Sequence, residues 1–151
     1  MWYDGSMIEK TIEQWILVAT KIAKAAHKGQ TRNDGGPYIE HPLRVANKVL
    51  PRLRPIAILH DTIEDTSVTI DDLKKVGFPS YIIDAVDVLT HKNKEPNMIY
   101  WARIADNKDA VIVKLYDIDD NINDNPSDRA REKYIKAIAF FKERGFSLDN
   151  L

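Results

Sequence analysis

The chain contains no cysteine. That excludes a disulfide framework and any thiolate metal site, so a bound metal would have to be held by imidazole and carboxylate groups. Long apolar runs are missing as well: no window approaches the roughly 18 consecutive apolar residues of a membrane span. Met1 to Ser6 lacks the basic stretch and following apolar stretch of a secretory leader, and a cytoplasmic location is the default expectation. Nor is there an excess of one charge, since 22 Lys and Arg stand against 23 Asp and Glu for a net charge of -1. Binders of nucleic acid or membrane surfaces usually carry a clear basic excess, so neither partner is expected. Internal repeats and low-complexity tracts are absent too.

What is present is the composition of an ordinary globular domain. A hydrophobic share of 44% and a charged share of 30% over 151 residues can build one proper core. We therefore expect a single domain over residues 1–151, with its core at about 8–145. Ile12, Trp15, Ile16, Ala19, Ile22, Ala23 and Ala26 recur at helical steps and predict an amphipathic helix from about Ile8 to His27, stopped by Gly29. Gln30 to Glu40 holds Asn-Asp-Gly-Gly-Pro and reads as a loop. Pro42 suits the first position of a second helix ended by Pro51, and Pro55 can open a third that carries the acidic cluster. Thr69 and Gly77 bracket a short helix, and Pro79 opens another with Ile82, Ile83, Val86 and Leu89 facing inward. Asn97 to Ala105 is a further helical segment. Ala110 to Leu115 fits a strand or a buried helix equally well. Ser127 caps a last helix whose inward face is Tyr134, Ile135, Ile138 and Phe141, before Gly145. Helix signals dominate, and the predicted class is all-α.

The chemistry concentrates in Ala57 to Asp65, where His60, Asp61, Glu64 and Asp65 fall within six residues. Three carboxylates this close repel one another unless a cation or a proton separates them. On one continuous helix, His60 and Glu64 would share a face, and Asp61 and Asp65 the neighbouring one. His41, His60, Asp61 and Asp117 could together cage a divalent ion such as Mn, Fe or Zn. Each has an ordinary alternative as well: His41 can simply precede Pro42, and Asp117 can be solvated in an acidic run. Spacing alone does not make the four converge. Glu64 and Asp65, one turn beyond a ligand, suit the handling of a water. Lys28, Arg32 and Gly35-Gly36 form a basic loop able to meet phosphate. Asp117 and Asn121 share a face at four-residue spacing, whereas Asp119 and Asp120 read as surface groups.

Several of these residues stand in ordered motifs. They are Ala26-His27-Lys28-Gly29-Gln30-Thr31-Arg32, Pro37-Tyr38-Ile39-Glu40-His41-Pro42, Leu59-His60-Asp61-Thr62-Ile63-Glu64-Asp65-Thr66 and Lys114-Leu115-Tyr116-Asp117 with Asn121. In this order they resemble the HD-domain phosphohydrolases, and among these the hydrolase domain of RelA/SpoT homologues, especially small stand-alone alarmone hydrolases. The resemblance implies a compact, all-helical HD-domain fold and one divalent ion, typically Mn²⁺, held by His41, His60, Asp61 and Asp117. It implies that Glu64 and Asp65 activate the water that attacks a 3′-pyrophosphate, and that Asn121 completes the site. It also implies that Arg32 contacts the nucleotide base and that Tyr134 packs on the nucleotide, with Lys28 beside them in the substrate loop. The implied reaction converts ppGpp or pppGpp to GDP or GTP plus pyrophosphate. Three features depart from the family pattern: a compressed Pro51-to-Pro55 segment, Asn33 where a second basic residue often follows Arg32, and Ala130 where an arginine often sits. A chain of this length has no room for a synthetase domain, so alarmone synthesis is not expected.

Two other functions are compatible with the same residues. One keeps the metal chemistry but acts on another nucleotide phosphate, such as a nucleoside monophosphate or NADPH. The other is a nucleotide-binding sensor without turnover. Against the sensor stands the Glu64-Asp65 pair, because a sensor has no need of a water-activating base.

Overall fold

A computed structural model describes residues 9–151. The leader test at Met1 to Ser6 and the predicted first helical residue, Ile8, lie outside the described residues. The described residues form nine α-helices, two 3-10 turns and no strand, with one isolated bridge between Thr31 and Pro37. None of these helices is long and apolar enough to cross a membrane.

Helix α1 (Ile12–Ala26) starts four residues later than the periodicity predicted. Thr11 and Gln14 form a reciprocal capping box there, which satisfies two otherwise orphaned N–H groups and sets the start. Helix α2 (Glu40–Lys48) starts earlier than predicted, so Pro42 is its third residue rather than its first. The first turn tolerates this because its N–H groups have no intrahelical partner. After a 3-10 turn at Pro51–Leu53, helix α3 (Arg54–Leu59) follows directly, and this tight link is the compressed segment seen in the sequence.

Helix α3 is the centre of the molecule. Pro55, Ile56, Ala57, Ile58 and Leu59 are all buried, and α1, α2 and two later helices pack around them. A helix that is apolar all round must be covered all round. Next come α4 (Thr62–Asp65), α5 (Ile70–Val76) and α6 (Ser80–Leu89). As predicted, Thr69 caps α5 with Asp72, and Gly77 ends it at φ 96°, a left-handed conformation that suits glycine. Ile82, Ile83, Val86 and Leu89 are the buried face of α6 together with Ala85.

Helices α7 (Asn97–Ala105), α8 (Lys108–Ile122) and α9 (Asp128–Glu143) close the bundle. The ambiguous segment Ala110 to Leu115 is helical: Asn107 caps α8 by accepting from the Ala110 N–H. This choice matters for the site. A strand would alternate its side chains, whereas the helix buries Asp117, Ile118 and Asp120 and brings Asn121 onto the face of Asp117. On α9 the predicted inward face needs correction. Ala137, Phe140 and Phe141 are buried, while Ile135 is 57% exposed and Ile138 36%. Phe140 packs beside Trp101, with ring centroids 5.7 Å apart, which rotates the Ile135 and Ile138 side outward.

Leu59 is the last residue of α3 and is fully buried. Leu59→Ala is expected to lower the unfolding free energy by about 2–5 kcal/mol, read from urea denaturation.

Candidate metal and hydrolytic centre

Predicted as one helix, the stretch from Pro55 to Asp65 is in fact two. Neighbouring residues on a helix point about 100° apart, so on an unbroken helix His60 and Asp61 would flank an ion rather than point along one direction. The chain ends α3 at Leu59, passes through His60 and Asp61 as a turn and restarts at Thr62. The buried Thr62 hydroxyl donates to the Leu59 carbonyl at 2.8 Å and takes up an acceptor that the break leaves free. The break falls between His60 and Glu64, whereas Asp61 and Asp65 stay one helical turn apart, the Asp65 N–H donating to the Asp61 carbonyl at 3.0 Å.

The four ligand candidates come together. One donor atom from each of His41, His60, Asp61 and Asp117 lies within 4.8 Å of every other. Asp117 Oδ1 sits 2.8 Å from His41 Nε2 and 3.0 Å from His60 Nε2. Asp61 Oδ2 lies 3.0 Å from His60 Nε2 and 3.6 Å from His41 Nε2, and it accepts from the Tyr38 hydroxyl. The other side of Asp117 is also engaged. Lys114 Nζ donates to Oδ2 at 3.1 Å, and Asn121 Nδ2 donates to Oδ1 at 3.0 Å. His41, His60 and Asp117 are buried, while the Asp61 side chain is 19% exposed and opens the cluster to solvent.

The chemistry of this donor set fits a cation. His60 Nδ1 lies 2.5 Å from the Ala57 carbonyl, which only accepts, so Nδ1 carries the proton. Nε2 then presents a lone pair to two carboxylate oxygens. That arrangement repels unless Nε2 is protonated or a cation stands between. Burial lowers the His60 pKa, but Asp61 and Asp117 outweigh it and hold the imidazole well above its ordinary value. Burial likewise raises Asp117, and Lys114 and the two imidazoles outweigh it and keep the carboxyl ionised. Protons thus occupy, electrostatically, the place that a divalent ion would take.

Glu64 and Asp65 stand at the rim. Glu64 Oε1 accepts from the His91 N–H at 2.7 Å, which fixes it to the segment after α6. Burial, with the charges of Asp61 and Glu64, raises the Asp65 carboxyl to about 6, although its side chain reaches solvent. Its carbonyl accepts from Gln30 Nε2 at 3.0 Å, and Gln30 Oε1 faces His27 Nδ1 at 2.8 Å, tying the first loop to this rim.

The substrate-loop residues separate. Asn121 and Tyr134 line one cleft of about 530 Å³, together with Asn33, Asp124, Asn125 and Ala130. Lys28 is exposed and outside that cleft. The Arg32 side chain is only 4% exposed and turned inward. It donates to Asn121 Oδ1 at 3.1 Å and Asp120 Oδ2 at 3.3 Å, and its Nε faces Asp124 Oδ2 at 3.0 Å as an ion pair rather than a directed hydrogen bond.

One expectation fails clearly. Asp120, read as a surface group, is 8% exposed and packed against His41. Its spacing of three from Asp117 on a helix was the available signal, hidden while the segment could also be a strand. Asp119 does lie towards solvent, paired with Lys48 at 3.1 Å. Tyr38 and Lys114, which brace Asp61 and Asp117, were quoted only within motifs and given no role.

No family model matches the chain. It is similar to a guanosine-3′,5′-bis(diphosphate) 3′-pyrophosphohydrolase of Vibrio cholerae, 42% identical over 79 residues that take in 48% of this chain and 11% of that protein. It is also similar to the bifunctional (p)ppGpp synthase/hydrolase SpoT of Escherichia coli, 37% identical over 79 residues, again 48% of this chain and 11% of that one. A GTP pyrophosphokinase of Streptomyces coelicolor is 35% identical over 92 residues, 58% of this chain and 11% of the relative. The match thus spans about a tenth of the length of these relatives. Among solved structures, a metazoan ortholog of SpoT that hydrolyses ppGpp superimposes with a TM-score of 0.70 at 21% identity, covering 86% of this chain and 83% of that one. The HD-type, all-α fold expected from the sequence is the fold this likeness supports.

Asp65 gives a test that needs no substrate. Its carboxyl titrates at about 6 when folded against an ordinary 3.8. With the folded pKa the higher one, the charged side chain opposes folding fully above about pH 6, progressively less towards 3.8, and not below. In metal-stripped protein, Asp65→Asn is expected to raise stability at pH 7.5 by about 1 kcal/mol, after discounting for solvent screening. Thermal melts at that pH and at pH 3.5 check it: the gain should be absent at the lower pH.

Proposed function

We propose that this chain is a single-domain, metal-dependent hydrolase of the 3′-pyrophosphate of guanosine alarmones, converting (p)ppGpp to GDP or GTP and pyrophosphate. The observation that carries the reading is the meeting of His41, His60, Asp61 and Asp117 within 4.8 Å, with Glu64 and Asp65 on the open side. The similarity to proteins named as (p)ppGpp 3′-pyrophosphohydrolases supports the choice of substrate.

In this reading His41, His60, Asp61 and Asp117 hold one divalent ion; the donors suit Mn, Fe and Zn alike, and we assign Mn²⁺ on the resemblance to the HD-domain hydrolases. When bound, such an ion supplies Lewis acidity and neutralises phosphate charge. The chain's own groups do the rest. Asp65, at the rim beside Asp61, is the carboxylate placed to take a proton from the attacking water. Glu64, held by the His91 N–H, orients that water. The bond between phosphorus and the 3′ oxygen breaks, the water oxygen stays with the pyrophosphate, and the 3′ oxygen takes up a proton. Asn121 holds Asp117 through one amide end and receives Arg32 at the other, so it keeps the last ligand in register beside the cleft. Tyr134 on the cleft wall offers a ring for the nucleotide to stack on. From the first loop Arg32 braces Asn121, while Lys28 stands exposed outside the cleft, a cation for the phosphate end of the substrate.

The direct test is incubation of metal-loaded protein with ppGpp and Mn²⁺, scored for pyrophosphate release. Turnover with one pyrophosphate per GDP is expected, and no release would overturn the reading. Orthophosphate released from NADPH or a nucleoside monophosphate in place of pyrophosphate would move the substrate assignment instead. Asp61→Ala should lose bound metal, measured by elemental analysis, together with activity; full metal content in that variant contradicts the ligand set.

A further inference from the structure

Asp120 has no place in the ligand set or at the rim, yet it is an ionised side chain inside the protein. Its Oδ2 lies 2.6 Å from His41 Nδ1. Arg44 grips both oxygens, Nε to Oδ1 at 2.9 Å and a terminal nitrogen to Oδ2 at 3.2 Å, and Arg32 adds a contact at 3.3 Å. A carboxylate held by two guanidinium groups can only accept, so the proton between it and His41 belongs to Nδ1. That leaves His41 Nε2 as the nitrogen facing Asp117 at 2.8 Å and Asp61 at 3.6 Å.

We propose that Asp120 is the positioning residue of this centre: it pins the His41 ring from behind, selects the tautomer whose Nε2 faces the cluster, and so sets the affinity for the divalent ion. The inference rests on the metal-dependent reading above. The two imidazoles share one design. His60 is pinned at Nδ1 by the Ala57 carbonyl at 2.5 Å, and His41 is pinned at Nδ1 by a carboxylate. A carboxylate partner also makes the imidazole a stronger donor than a carbonyl does. The Arg44 clamp comes from α2, the helix that carries His41, and Asp120 comes from α8, the helix that carries Asp117. Two ligands from distant parts of the chain are thereby locked in register by one ion pair. Arg32 extends the lock to the first loop through Asp120, Asn121 and Asp124.

The test is calorimetric titration of metal-stripped protein with Mn²⁺, run beside thermal melts of the same samples. Asp120→Ala should raise the dissociation constant about 10–100-fold, the usual range for such outer partners. Asp120→Asn keeps an acceptor for the Nδ1 proton and should fall between it and the wild type. Asp119→Asn, one residue away on the exposed side, should bind as the wild type does. If Asp120→Ala does not fold, Asp120→Asn and Arg44→Met carry the test: each should weaken binding, and the double variant no further than Asp120→Asn alone. Additive effects, or a folded Asp120→Ala with wild-type affinity, overturn this proposal while leaving the proposed function intact. Wild-type protein that takes up no divalent ion overturns the proposed function and this proposal together.

Discussion

Asp117 carries its charge at 3% exposure inside a helical bundle, and the surrounding architecture is what makes that charge tolerable. An isolated ionised carboxylate in such a place would cost several kcal/mol even after relaxation. Here Oδ1 meets His41, His60 and Asn121 while Oδ2 meets Lys114. The partners come from α2, from the end of α3 and from α8 itself. Removing any one would leave a buried charge partly unanswered, so the site and the packing of α2 and α3 on α8 are a single structure. The bundle could not assemble around an apolar Asp117 substitute and keep the same polar interior satisfied.

This arrangement explains why the acidic stretch after α3 is broken. A continuous helix would have set His60 with Glu64 and Asp61 with Asp65 on two neighbouring faces. The turn at His60 and Asp61 instead sends two adjacent side chains to one point and leaves Glu64 and Asp65 on a separate short helix at the rim. What reads in sequence as one cluster of like charges is thus two groups with different neighbours. The inner group is neutralised by imidazoles and Lys114. At the rim, burial first and then the charges of Asp61 and Glu64 raise the affinity of Asp65 for a proton.

Much of this was legible in the residues. Helical periodicity placed α1, α5, α6 and α7 within a few positions, because capping residues such as Thr69 and left-handed Gly77 act locally. The four ligand candidates could be named from their chemistry, but their meeting could not, because it depends on how α2 and α8 dock against α3. The open reading at Ala110 to Leu115 and the mistaken ones share that origin. Ala110 to Leu115 has β-branched residues whose local preference is overridden by burial on two sides, and the burial of Asp120 follows only once that segment is helical. On α9, Phe140 against Trp101 decides which side turns inward, and no spacing within α9 contains that information. Arg32 looked like a free phosphate-binding cation because its three partners, Asp120, Asn121 and Asp124, lie about 90 residues away in sequence.

The depth at which each residue sits separates what the site can change from what it cannot. His41, His60, Asp117 and Asp120 are in the core, bonded to one another and to Arg44, Arg32 and Lys114, so a substitution at one is felt by all. Tyr134, Asn33, Asn125 and Ala130 line the neighbouring cleft without entering that network of buried charges. Loops and helix faces of this kind accept substitution without disturbing a buried frame. The departures from the family pattern at Asn33 and Ala130 fall on this cleft and not in the cage. Substitution at those positions reshapes the cleft wall and leaves the buried cage of His41, His60 and Asp117 as it is.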